Sequence, residues 1–200
     1  MNLSQILSTI LAMYLTITLH ECAHGLVALW NGDPTARDAG RITLNPVQHV
    51  DPMGLFFLVV FRIGWAKPVP INPYRFQNRR LGMLTTSLAG VTTNFFTAFL
   101  AALLLRIIPM HWVWMATFLL DMMFFGVFFC LFNLLPIPPL DGSKAIMSLL
   151  PEDAARAIEQ TERYTRWLLP ILVFTGLYSR FAQPLASRII SGMLNIAFAL

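Results

Sequence analysis

Apolar residues along this chain gather into long, nearly unbroken runs, and polar residues mark the gaps between them. Runs over residues 6–30, 83–107 and 112–135 each reach the ~20 residues that a helix needs to cross a hydrocarbon core of ~30 Å. The second and third are separated only by the turn Ile108-Pro109-Met110-His111, so they are expected as antiparallel neighbours. Residues 166–200 are apolar again, but Pro170, Gly176, Arg180, Pro184 and Arg188 interrupt them, which allows one span or two short ones. Residues 152–166 carry enough charge to read as a surface helix. Residues 54–61 (Gly-Leu-Phe-Phe-Leu-Val-Val-Phe) are apolar but too short to span, and predict a re-entrant or strand-like hairpin. Strand edges cannot face lipid, so such a hairpin must be covered by protein or border a water-filled cavity, where it could pair with an extended peptide. The expected fold is an all-α polytopic bundle of about four to five transmembrane helices, with the hairpin after the first. It is expected as a single domain over residues 1–200 with no appended soluble domain.

Composition agrees: 56% of the 200 residues are hydrophobic and 12% charged, too little polar surface to cover a soluble globule. The formal charge of +4 does not form a stripe, which argues against nucleic acid. Its distribution gives orientation instead. Arg37, Arg41, Arg62, Lys67, Arg75, Arg79 and Arg80 crowd the connection between the first two spans, whereas the 108–111 turn has only Arg106 nearby, so the long connection is expected in the cytosol. The first run lacks a basic leader and holds three ionisable residues, unlike a cleaved signal peptide. Cys22 and Cys130 both fall in apolar runs, which indicates neither a disulfide framework nor a cysteine metal cluster.

Those three ionisable residues carry the candidate chemistry. His20-Glu21-Cys22-Ala23-His24 sets two imidazoles four residues apart on one helical face, so both can bind one ion, with Glu21 about 100° around the helix and able to address its water. Ionisable residues inside a span are costly, and a metal offsets that cost. Zinc with three protein ligands keeps an open position for water that ionises near neutral pH, and Glu21 is the proton carrier. Cys22, about 200° from His20, points away. The third ligand is read as Asp141, in Asn133-Leu134-Leu135-Pro136-Ile137-Pro138-Pro139-Leu140-Asp141-Gly142, where prolines unwind the third span and Gly142 permits a turn back toward the first helix. Asp121 lies too deep and is expected as a structural partner; His49 in the long connection is the other rival. One Zn2+ per chain is expected, in a site that cobalt or iron also suits. Ser87, Gly90, Thr93, Asn94, Thr97 and Ala101 form a small-residue face for close packing, on which Asn94, like Asn133, is a candidate for binding substrate or steadying an oxyanion.

Through the His-Glu-x-x-His element inside a span, Gly90 to Asn94, and the Asn-x-x-Pro-x-Pro-x-Leu-Asp-Gly stretch, the chain resembles the site-2 protease family of intramembrane metalloproteases. Asn45-Pro46, His49-Val50-Asp51-Pro52 and Gly64-Trp65-Ala66-Lys67-Pro68-Val69-Pro70 resemble loops of its compact prokaryotic members. The resemblance implies an enzyme that cuts transmembrane protein substrates within or near the bilayer, seated in a prokaryotic cytoplasmic membrane with its site toward the cytosol. It implies no oligomeric state. The competing class is a membrane metal-binding protein without proteolysis, a zinc transporter or a silent helix-binding relative. A transporter needs ionisable groups along a path, and the other histidines, His49 and His111, fall outside the spans.

Overall fold

A computed structural model describes residues 3–54, 56, 66–109 and 111–199 of the chain. Over these the regular structure is helical: α1 (Leu3–Trp30), α2 (Thr35–Asp38), α3 (Arg79–Ile107), α4 (Val113–Asn133), α5 (Asp141–Leu149), α6 (Glu152–Gln160), α7 (Glu162–Phe174) and α8 (Leu177–Ala199), with short 3-10 turns at Pro46–His49 and Pro73–Arg75. The helices α1, α3 and α4 are long and apolar enough to cross a membrane, with mean hydropathy of 1.4, 1.8 and 2.1 in their spanning windows. They pack on one another through small residues. Ala12, Ala98, Ala101 and Ala102 are almost fully buried, and a Cβ at Gly126 of α4 would fall 2.7 Å from the Asn94 carbonyl oxygen of α3. Apolar helices in lipid gain little from hiding carbon, so backbone proximity of this kind is what holds them. Asp121, at spanning depth in α4, accepts a hydrogen bond from the Thr9 hydroxyl of α1 at 2.9 Å, the structural partnership expected of it.

The long connection is fastened to the end of α1. Buried Asp33 accepts hydrogen bonds from the Thr35 backbone and hydroxyl through Oδ1 and from the Asn72 backbone at 2.6 Å through Oδ2, while the Gln77 N–H donates to the Asn31 carbonyl at 2.9 Å. Inside this loop the Lys67 N–H donates to the His49 carbonyl, Val50 and Ala66 form an antiparallel bridge, and buried Arg41 donates to the Lys67 carbonyl at 2.7 Å. The hairpin expected over 54–61 lies, apart from Gly54 and Phe56, outside the described residues.

After α4 the chain leaves helical geometry at Leu134 and re-enters it at Asp141, as the prolines predict. The C-terminal run resolves into two helices, and the break falls only at Gly176, whose φ of 69° suits glycine. Pro170 and Pro184 lie inside α7 and α8 without ending them. The expected surface helix is two elements, α6 and the start of α7, each with one i,i+4 pair: Glu152 with Arg156 and Glu162 with Arg166. From Gly176 the chain turns into α8, which packs along α4 and α3. The Tyr178 hydroxyl donates to the Phe128 carbonyl at 2.9 Å near one end, and Arg106 reaches the Ala197 carbonyl at the other.

Candidate active site

His20 and His24 sit one turn apart on the buried face of α1, and Asp141 meets them from the first turn of α5, where a helix N-terminus favours a carboxylate. The distances are 3.0 Å between the two Nε2 atoms, 3.2 Å from His20 Nε2 to Asp141 Oδ2 and 3.1 Å from His24 Nε2 to the same oxygen. No placement of protons satisfies all three sides of this triangle, because any proton on one nitrogen can serve only one neighbour well. A cation at its centre serves all three. Tetrahedral zinc with bonds of about 2.0–2.1 Å needs ligand atoms about 3.3–3.4 Å apart, so the donor set fits the ion in type and nearly in spacing. Burial pushes the Asp141 carboxyl up, yet protons on the His20 and His24 nitrogens that face it outweigh that and hold the group well below the usual carboxylate range; a metal requires the same ionised form.

The outer partners come from α3. His24 Nδ1 lies 2.7 Å from the Thr86 carbonyl oxygen, which can only accept, so Nδ1 keeps a proton and Nε2 is the nitrogen that can give up its own to ligate an ion beside Asp141. Asn94, fully buried, places its amide nitrogen 3.0 Å from His20 Nδ1 and leaves Oδ1 without a partner. A half-turn of that amide makes Oδ1 the acceptor from Nδ1–H and frees Nε2 of His20 in the same way. Gly90 makes room: a Cβ there would lie 2.6 Å from His20 Nδ1. Gly142 does similar work for Asp141, since a Cβ would press on the Leu134 carbonyl and fall 2.7 Å from that of Leu135. Its φ is not in the left-handed region, so close approach to backbone, and not a sharp turn, is what calls for glycine.

The three residues open on a cavity of about 590 Å³ that Glu21, Asn94 and Asn133 also line. Glu21 Oε2 accepts a hydrogen bond of 2.8 Å from the Val69 N–H, which stands between two prolines that have none. Asn133 spends its amide nitrogen on the Phe129 carbonyl at 3.1 Å. Sequence reasoning missed Lys144, whose ammonium lies 3.5 Å from Asp141 Oδ1 and borders the cavity; its place three residues along a helix from Asp141 was the available signal. Reading the residues also gave no sign of Val69 or Thr86, because backbone groups leave no mark in a sequence. His49 is not brought to the cluster: it is fully buried, with Nε2 3.0 Å from the Thr43 carbonyl. Cys22 and Cys130 are buried free thiols.

The chain is 37% identical over 93% of its length to "Putative zinc metalloprotease YwhC" of Bacillus subtilis (strain 168), and the match covers 85% of that protein. The chain belongs to the site-2 protease family. Two further relatives named "Putative zinc metalloprotease Rip2" are each 30% identical. That of Mycolicibacterium smegmatis matches over 84% of this chain and 66% of its own length, and that of Mycobacterium tuberculosis (strain ATCC 25618 / H37Rv) over 78% and 62%. No protein-family model and no solved structure matches the chain. Bacterial relatives of this kind and, among the described residues, three helices able to span make this site-2 protease relative an integral membrane protein. The relatives' names imply zinc, for which His20, His24 and Asp141 are a possible site.

Proposed function

We propose that this chain is an intramembrane zinc endopeptidase that cleaves transmembrane protein substrates within or near the bilayer. The observation that carries the reading is the buried triangle of His20, His24 and Asp141 opening on a cavity that also holds Glu21, on a helix long enough to span. His20, His24 and Asp141 are the proposed ligands of one zinc ion, which when bound supplies Lewis-acid activation of water and of the scissile carbonyl. Glu21 takes the proton that water loses as it adds to the carbonyl carbon, and returns it to the departing amine as the C–N bond breaks. The Val69 N–H holds one carboxylate oxygen of Glu21, which fixes the direction in which the other can work. Thr86 and Asn94 hold the two imidazoles in the tautomer that ligation needs. Asn133 is the remaining candidate for the substrate carbonyl, because Asn94 is engaged with His20.

His20 lies about 10 residues, or ~15 Å, from the end of α1 to which the long connection is fastened. Positive charge in that connection supports a site toward the cytosolic side of a bacterial cytoplasmic membrane. The test is metal content and cleavage together. The purified full chain is reconstituted with zinc in vesicles beside a single-span reporter, and wild type is compared with Glu21→Gln. Zinc near one per chain in both, with cleavage only in wild type, is the expected result. Cleavage surviving in Glu21→Gln rejects the mechanism, and a chain that takes up no zinc rejects the site.

A further inference from the structure

The helix α8 has the amphipathic pattern of a soluble protein in a place where its outer face should meet lipid. Its buried residues Tyr178, Ala182, Ala186, Met193 and Ala197 form one face, and Ala186, Met193 and Ala197 belong to the core built around Leu119, Met122 and Met123 of α4. Because those α4 residues lie in the interior of a spanning helix, α8 lies at hydrocarbon depth. On the opposite face Arg180, Gln183, Ser187, Ser191 and Asn195 recur at three and four residue steps, with Arg188 at their flank, and all six are exposed. Arg188 is the middle residue of α8, ~16 Å from either end at about 1.5 Å per residue. An arginine side chain reaches roughly 7 Å, so snorkelling along the helix does not bring this guanidinium to water. Among the described residues no carboxylate pairs with Arg180 or Arg188.

We propose that this face of α8 docks a spanning helix of a partner membrane protein that presents a carboxylate to Arg188, with Gln183, Ser187, Ser191 and Asn195 hydrogen-bonding along the contact. Charge chooses the occupant. A second copy packed through the same face about an axis normal to the membrane brings Arg188 against Arg188, and this chain's carboxylate at comparable depth, Asp121, is already engaged by Thr9. The contact lies apart from the bond being cut, because no residue of α8 lines the cavity of Glu21 and Asp141. The surface therefore suits a regulatory or substrate-delivering subunit, and the inference stands whether or not the proposed chemistry is right.

The test uses the full-length protein in phosphatidylcholine vesicles at neutral pH with two synthetic spanning peptides of Leu and Ala, one with Glu at its centre and one with Gln, read by energy transfer. The Glu peptide should associate at least tenfold more tightly than the Gln peptide. Arg188→Gln should abolish that preference, and Arg188→Lys should keep part of it. Helical circular dichroism and thermal unfolding in detergent check that each variant is folded, and the wild-type comparison stands alone if one is not. Equal association of the two peptides overturns the proposal, as does a preference that survives in folded Arg188→Gln. Disulfide trapping of two copies through Ser191→Cys in cell membranes overturns it in favour of a homodimer.

Discussion

The imidazole of His20 occupies the space that a side chain at position 90 would need, for a Cβ on Gly90 would fall 2.6 Å from its Nδ1. Neither neighbour can yield easily, since the ring belongs to one packed helix and the position to another. Gly90→Ala should therefore displace His20, cost about 1–3 kcal/mol of stability as an overpacking change, and reduce zinc bound per chain. Gly192→Ala, whose added Cβ meets nothing within 4 Å, is the control and should leave zinc unchanged and stability no lower. Thermal unfolding in detergent and metal analysis check both variants.

In the proposed site Asn94 acts through His20, and its removal should weaken zinc binding without abolishing it. A group that hydrogen-bonds the far nitrogen of a ligating histidine is worth about 10–100-fold in metal affinity. Asn94→Leu, similar in volume, should show a loss of that order in competition with a chelator, while Asn94→Asp should keep most of the affinity because a carboxylate also accepts from Nδ1–H. Wild-type affinity in Asn94→Leu would return Asn94 to the role of a substrate contact.

His24→Ala and Asp141→Ala should each lose zinc, whereas His49→Ala should retain it near one per chain, because His49 is turned to the Thr43 carbonyl and away from the cluster. Zinc retained by folded Asp141→Ala would mean that the third ligand lies elsewhere.

The contact from Val69 to Glu21 is made by backbone, so only a substitution that removes an N–H can test it. Val69→Pro should lower cleavage of a reporter by about 10-fold or more while zinc stays bound, the pattern of a misplaced proton carrier. Val69→Ala keeps the N–H and should stay near wild type; equal loss in both would assign the effect to the side chain.

The spans and the pairing of His20 with His24 were legible because each rests on spacing within one stretch of chain. Apolar runs marked α1, α3 and α4 to within a few residues, and the four-residue step from His20 to His24 placed both rings on one face. Asp141 was legible because the proline-rich stretch before it announced where α4 must stop. What escaped depends on which helix lies beside which: the engagement of Asn94 with His20, the carbonyl of Thr86 behind His24, and the reach of Lys144. The C-terminal run left its count open for a different reason. Pro170 and Pro184 look like breaks, yet a proline costs a helix only one hydrogen bond and a local clash that a bend absorbs, while Gly176 adopts a backbone conformation that ends it.

The double fastening of Asp33 to Thr35 and Asn72, with Gln77 tied back to Asn31, joins the two feet of the long connection at a single point beside the end of α1. A loop closed in this way transmits little from its crown to its base. Lengthening the connection beyond the contact of Lys67 with His49 costs only the slow logarithmic entropy of a larger ring, and the helices that carry His20, His24 and Asp141 need not shift. Descent with variation can thus rework what surrounds the mouth of the cavity while the hinge post at Asp33 keeps the chemistry in register.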